Sequence, residues 1–199
     1  MASPLYCHTV PPLGIAYLAS SLEQNGADVK AVDMFDFSWD RVRQTLEKEQ
    51  PDAVGIICLT EQRASPLEVA KLSKTINKDC TVIMGGIHPA IMCEQILKNW
   101  PVDIIVLSEG EETIKELMVC LEQKKDVGDV QGIACKYQGK IIRTSPRQLI
   151  HNLDDISFPA YKYFDFADDI FTVNKNRVID LCKEIIDRNW ISSGTVKPV

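Results

Sequence analysis

The sequence predicts an α/β fold: a parallel sheet with helices on both sides, closed by a hairpin and followed by a helical tail. Three observations carry this. Short apolar runs alternate with longer runs of helical period, the pattern of right-handed crossovers between parallel strands. Three of those runs, "AVGIICL" (Ala53 to Leu59), "TVIMGG" (Thr81 to Gly86) and "DIIVLSEG" (Asp103 to Gly110), are apolar almost throughout. Strands buried on both faces read that way. Finally, two strand-like runs flank Gln138-Gly139, a pair suited to a tight hairpin turn.

In chain order, a helix is predicted from Pro12 to Gln24, stopped by Asn25-Gly26. "ADVKAVDM", Ala27 to Met34, reads as a further strand. Ser38 to Glu49 is amphipathic and ends before Pro51. "SPLE", Ser65 to Glu68, has the form of a capping box with proline at the first helical position, opening a helix to about Asn77. Helices follow over Pro89 to Asn99 and Glu111 to Gln123, then the hairpin within "GIACKYQGKIIRT", Gly132 to Thr144. Residues 145–165 read as a linker, with Pro146, Asp154-Asp155, Pro159 and four aromatics. The last helix covers Asn176 to Trp190, with Val178, Leu181, Cys182, Ile185 and Ile186 on one face.

Composition narrows the function. The 199 residues carry a formal net charge of −6, with scattered Lys and Arg. Nucleic-acid binding rests mainly on neutralising phosphates, so no nucleic-acid partner is expected. No apolar run is long enough to span a bilayer. The N-terminus, "MASPLYCHTV", lacks the basic segment and apolar core of a signal peptide. The seven cysteines are spread out and set mostly in apolar runs. Buried thiols in a reducing cytoplasm are expected rather than disulfides or a zinc site.

Ligands of open α/β sheets sit at the carboxyl ends of the strands. Here those ends are followed by "TEQRAS", "GGIHP" and "SEGEE". Two adjacent glycines, Gly85 and Gly86, mean either a sharp turn or the close approach of another group. Ser108 and Glu111 have capping-box spacing, and the acidic helix start there makes a poor phosphate site. His88 before Pro89 reads as a cap or surface residue. Dinucleotide, Walker and nucleophile-elbow motifs are absent, and the three histidines lie far apart. No catalytic or protein-held metal residues are assigned.

Taken together, "PPLGIAYLASSLEQNGADVKAVD", "PDAVGIICLT", "VIMGGIHPA", "DIIVLSEGEET" and "LDDISFPAY" resemble the cobalamin-binding domain of radical S-adenosylmethionine proteins, from about residue 11 to 166. The resemblance implies a flavodoxin-like, doubly wound (Rossmann-like) sheet. It implies cobalamin with its nucleotide tail between strand ends, approaching Gly85 and Gly86 and bordered by Thr60 and by Ser108, Glu109 and Gly110. No D-x-H-x-x-G is present, which implies base-off cobalamin without a protein histidine on cobalt.

Two departures from the family pattern stand out. Before the Pro-Pro-Leu-Gly helix only "LYCHTV", Leu5 to Val10, is available as a first strand. After Phe166-Ala167 the chain resembles a later piece of the family's catalytic barrel, with no C-x-x-x-C-x-x-C. The expected organisation is therefore a cobalamin-binding domain over 1–145, a linker over 146–166 and a barrel remnant over 167–199. An iron–sulfur cluster and S-adenosylmethionine are expected only in intact relatives, which carry out methyl transfer or other radical chemistry. Self-association through the C-terminal helix is a further expectation. The competing reading is a ligand-free α/β interaction module or a non-functional remnant.

Overall fold

The computed structural model describes residues 12–163 and 175–187. The expected first strand, Leu5 to Val10, and the junction at Phe166-Ala167 lie outside these residues. Five strands form one sheet in the order β1 (Ala53–Ile57), β2 (Thr81–Gly85), β3 (Ile104–Val106), β4 (Ile133–Tyr137) and β5 (Lys140–Arg143). The first three are parallel, with Val54 beside Val82 and Ile83 beside Ile104. The hairpin strands β4 and β5 add antiparallel onto β3. Gln138 and Gly139 both take positive φ (47° and 77°), as a two-residue turn of this hand requires.

Side-chain alternation splits the core into two layers. Val82, Met84, Ile105 and Ala134 face one way, against α3 (Ala64–Ile76) and α4 (Ile87–Asn99). Ile83, Ile104, Val106, Ile133 and Cys135 face the other, against α1 (Leu13–Gln24) and α5 (Glu111–Glu122). The expected helices on both sheet faces are thus present. Met84, Leu97, Ile105 and Leu117 are fully buried. Each such side chain contributes roughly 1.5–3 kcal/mol relative to exposure. The amphipathic helix α2 (Trp39–Glu49) buries Val42 and Leu46 and packs beside α3.

Helix ends follow the sequence in some places and depart from it in others. The α1 stop is made as expected. Gly26 has φ +84°, with Ala27 N–H donating to the Leu22 carbonyl and Gly26 N–H to that of Glu23. That pair of bonds is the Schellman arrangement. Ser38 caps α2 by accepting from Arg41 N–H.

The two other expected caps are not made. The helix α3 begins at Ala64 with no side-chain cap, so Ser65 sits inside its first turn. Gly110, not Ser108, precedes α5, also without a side-chain cap. In both cases the loop delivers the chain to the helix two residues away from the position the motif needs.

The expected strand Ala27 to Met34 is corrected as well. Its burial nearly alternates along the chain, as in a strand, yet it pairs with no strand among the described residues. Alternation supplies a face to bury, but a strand also needs a neighbour for its backbone groups. The strand β1 is not buried on both faces either: Gly55 is exposed, and a Cβ there would meet no atom of the described residues within 4 Å.

Residues 145–163 run back over the α1/α5 face and are tied to it repeatedly. Gly132 N–H donates to Ser145 O at 2.8 Å, Arg147 pairs with Glu116, and Ala160 N–H donates to Ala16 O at 2.9 Å. At the far end Glu23 receives Lys162 Nζ at 2.8 Å and the Tyr163 hydroxyl, which also reaches Val29 O at 2.6 Å. Burial and the neighbouring Glu23 carboxylate push the Tyr163 phenol well above its ordinary pKa.

A raised phenol pKa means that the unfolded chain loses this proton first. Tyr163 therefore adds stability below an ordinary phenol pKa of about 10, and loses it as pH rises further. Tyr163→Phe is expected to lower stability by about 1–2 kcal/mol at neutral pH. It should also flatten the alkaline decline measured by urea unfolding from pH 8 to 11. An unchanged alkaline slope would show that the hydroxyl is not held as described.

Among the described residues, no helix is long and apolar enough to cross a membrane. Cys58, Cys80, Cys93 and Cys135 are buried free thiols, whereas Cys182 on α6 (Lys175–Asp187) is exposed. Burial pushes the thiols of Cys58, Cys80 and Cys135 upward, which keeps them protonated. Cys7 lies outside the described residues.

Candidate functional site

Three parallel strands deliver their carboxyl ends to one edge of the sheet. The ladder runs one step past β1, with Cys58 N–H donating to Gly85 O at 2.9 Å. The two chains then separate into the loops that hold Thr60 and Gly86. The start of β4 borders the third loop, where Leu107 N–H donates to Gly132 O at 2.9 Å. The structure thus brings Thr60, Gly85, Gly86, Ser108, Glu109 and Gly110 to the same edge.

The two glycines do different things. Gly86 takes φ +107°, and a Cβ there would lie 2.7 Å from the Cys58 carbonyl oxygen. Its missing side chain is demanded by the fold itself, where the chain leaves β2 against the end of β1. Gly85 has no positive φ, and a Cβ there would first meet the Val106 Cβ at 4.0 Å, an ordinary contact. Among the described residues, nothing in the packing forbids a side chain at Gly85. At Gly110, a Cβ would meet the flexible end of Leu18 at 2.9 Å, a contact that a small shift of that side chain relieves.

Thr60 is held from two sides. Its carbonyl accepts from Arg63 Nη1 at 2.9 Å, and its hydroxyl lies 3.3 Å from His88 Nδ1. His88, read from sequence as a cap or surface residue, therefore bridges two strand-end loops. Ser108 is exposed and free of any capping role. Glu109 is turned elsewhere: its Oε2 accepts from Ile150 N–H at 2.7 Å, and its carbonyl from Thr113 Oγ1 at 3.3 Å. Only the backbone of Glu109 is left to the edge.

Sequence reasoning missed the apolar rim of this edge. Leu59 is 42% exposed, Ile87 63% and Ile91 68%. The signal was present: α4 buries Pro89, Cys93, Ile96 and Leu97, so Ile87 and Ile91 fall off the buried stripe. Together with Thr60, Ser108 and the bare glycine backbone, these residues make an open, amphipathic surface. It suits a broad ligand with an apolar face and polar edges.

An α/β sheet with glycine-bearing loops at its carboxyl edge is the architecture of cofactor-binding domains. The family described as the B12 binding domain matches residues 7–118, more than half of the chain, and the chain belongs to that family. Among its relatives is an uncharacterized methyltransferase of Pyrococcus horikoshii, 37% identical over 77% of this chain and 34% of the relative. Another is the anaerobic magnesium-protoporphyrin IX monomethyl ester cyclase of Rubrivivax gelatinosus, 33% identical over 84% of this chain and 32% of the relative. The chain spans about a third of the length of these relatives.

Solved structures give the same fold. One is the cobalamin-dependent S-adenosylmethionine radical enzyme OxsB with aqua-cobalamin and S-adenosylmethionine bound. It has a TM-score of 0.63 at 24% identity, over 71% of this chain and 21% of that one. Another is the radical S-adenosylmethionine methyltransferase TsrM of Kitasatospora setae with cobalamin and a [4Fe-4S] cluster bound. It has a TM-score of 0.60 at 18% identity, over 77% of this chain and 29% of that one. The α/β, Rossmann-like class expected from the sequence is the class observed.

Proposed function

We propose that this chain is the cobalamin-binding module of a radical S-adenosylmethionine-type protein, with the cofactor lying across the carboxyl ends of β1, β2 and β3. The observation that carries the reading is the carboxyl edge itself. There Gly85 stays bare although no atom of the described residues requires it, beside an exposed apolar rim. A corrin ring with its amide fringe matches that surface in chemistry. Cobalamin supplies a cobalt centre able to carry a methyl group or an electron. This chain's own residues bind and orient it: Thr60, Gly85, Gly86, Ser108, Gly110 and the backbone of Glu109.

Cobalt is proposed to lack a protein histidine ligand. The support is the sequence, which has no D-x-H-x-x-G, and the place of His151, exposed on the segment over α1 and α5. Methyl transfer or other radical chemistry, with its iron–sulfur cluster and S-adenosylmethionine, is proposed for the longer proteins in which such a module works, within the cytoplasm.

The test is a titration of the full chain with hydroxocobalamin, followed by absorbance and desalting. Retention of about one equivalent of pink cofactor is expected. After one-electron reduction of the bound cofactor with dithionite under anaerobic conditions, electron paramagnetic resonance of the resulting cob(II)alamin should show no nitrogen splitting from a histidine. A colourless protein after desalting would remove the reading and favour an interaction module whose apolar rim docks another protein.

A further inference from the structure

We infer that Glu109 is a latch. It ties the strand-end loop before α5 to the segment 145–163, so that ligand occupancy at the loop and seating of that segment are coupled. The inference rests on the cobalamin reading above but concerns a side chain that this reading leaves without a ligand role.

Glu109 sits in the loop between β3 and α5, flanked by Ser108 and Gly110. Its side chain is half-buried, and its Oε2 accepts the Ile150 N–H at 2.7 Å. Its backbone carbonyl is held by Thr113 Oγ1 at 3.3 Å, and Thr113 is fully buried in α5. The loop is thus fixed on one side to a core helix and on the other to a segment distant in sequence. A carboxylate that accepts a backbone N–H makes a charge-assisted bond, stronger than a neutral one. Losing it leaves a partly buried N–H without its partner.

The neighbouring ties place Glu109 apart from the others. Arg147 pairs with Glu116, Ser157 with Gln24, and Tyr163 with Glu23; those partners lie on α5 or α1. Of these side-chain ties, the one from Glu109 reaches a strand-end loop. Any shift of Ser108 to Gly110 on taking up a ligand is therefore transmitted to Ile150. Conversely, a seated segment holds the loop in one shape and lowers the ordering cost of binding. Such coupling is reciprocal in free energy.

The experiment is amide hydrogen exchange over residues 146–153 of the full chain, with and without hydroxocobalamin, in wild type, Glu109→Ala and Glu109→Gln. Circular dichroism confirms that each variant is folded. In wild type, cobalamin should slow exchange at Ile150 by roughly fivefold or more, the low end of ordinary coupling between sites.

Glu109→Ala should exchange faster than wild type without ligand and lose the cobalamin effect. By reciprocity it should bind cobalamin about fivefold more weakly. Glu109→Gln keeps a carbonyl acceptor and should restore most of both. Unchanged exchange in ligand-free Glu109→Ala would overturn the latch. Faster exchange with unchanged affinity and an intact cobalamin effect would overturn the coupling. Weaker affinity with unchanged exchange would make Glu109 a direct ligand contact instead. If wild type takes up no cobalamin, the functional reading falls and the coupling with it, while the ligand-free comparison still decides the latch.

Discussion

Gly86→Ala is expected to destabilise the protein by about 3 kcal/mol, from strain and steric overlap together. Gly86 has φ +107°, a region L-residues rarely occupy. The added Cβ would also sit 2.7 Å from the Cys58 carbonyl oxygen, with Cys58 N and C at 3.4 and 3.5 Å. These are backbone atoms, and Cys58 N–H is committed to Gly85 O. They can retreat only by opening the last rung between β1 and β2. Thermal unfolding by circular dichroism should show a fall in Tm of roughly 6–12 °C for a domain of this size. A fall of less than about 2 °C would mean that the turn relaxes freely and that this glycine carries no structural constraint.

The elements legible in the sequence were those whose signal is local. Asn25-Gly26 ends α1 because a left-handed residue there closes two bonds within six residues. Gln138-Gly139 turns the hairpin for an equally local reason. Elements that depend on a distant partner were read less well. Ala27 to Met34 has the burial of a strand and no described neighbour. The two capping-box motifs have the right residues, but the incoming loop starts each helix elsewhere.

The same division holds at the site. The glycine pair marked the right edge, because ligand edges of such sheets follow from topology. Which glycine serves the fold was not legible, since it depends on Cys58, more than twenty residues away. Glu109 reads from sequence as bordering the cofactor, whereas its side chain turns to Ile150, 41 residues on. The bridge from His88 to Thr60 spans 28 residues, and neither residue alone announces it.

Gly85→Leu is the complementary substitution, and it separates ligand approach from folding. Gly85 has no positive φ, and its nearest prospective contact, the Val106 Cβ at 4.0 Å, is at ordinary van der Waals distance. A strand end tolerates a branched side chain, so stability should change by less than about 1 kcal/mol. The leucine side chain would nevertheless grow past Val106 at the carboxyl end of β2, in space assigned to the incoming cofactor. Binding of hydroxocobalamin should weaken by at least about a hundredfold, or roughly 2.7 kcal/mol, since a planar ring or extended tail cannot move around a fixed obstacle. The pair of variants then gives opposite results: Gly86→Ala loses stability first, whereas Gly85→Leu loses affinity with its melting curve intact. Wild-type affinity in a well-folded Gly85→Leu protein would place the cofactor elsewhere on the molecule, and would leave the bare backbone at Gly85 without the close approach proposed for it.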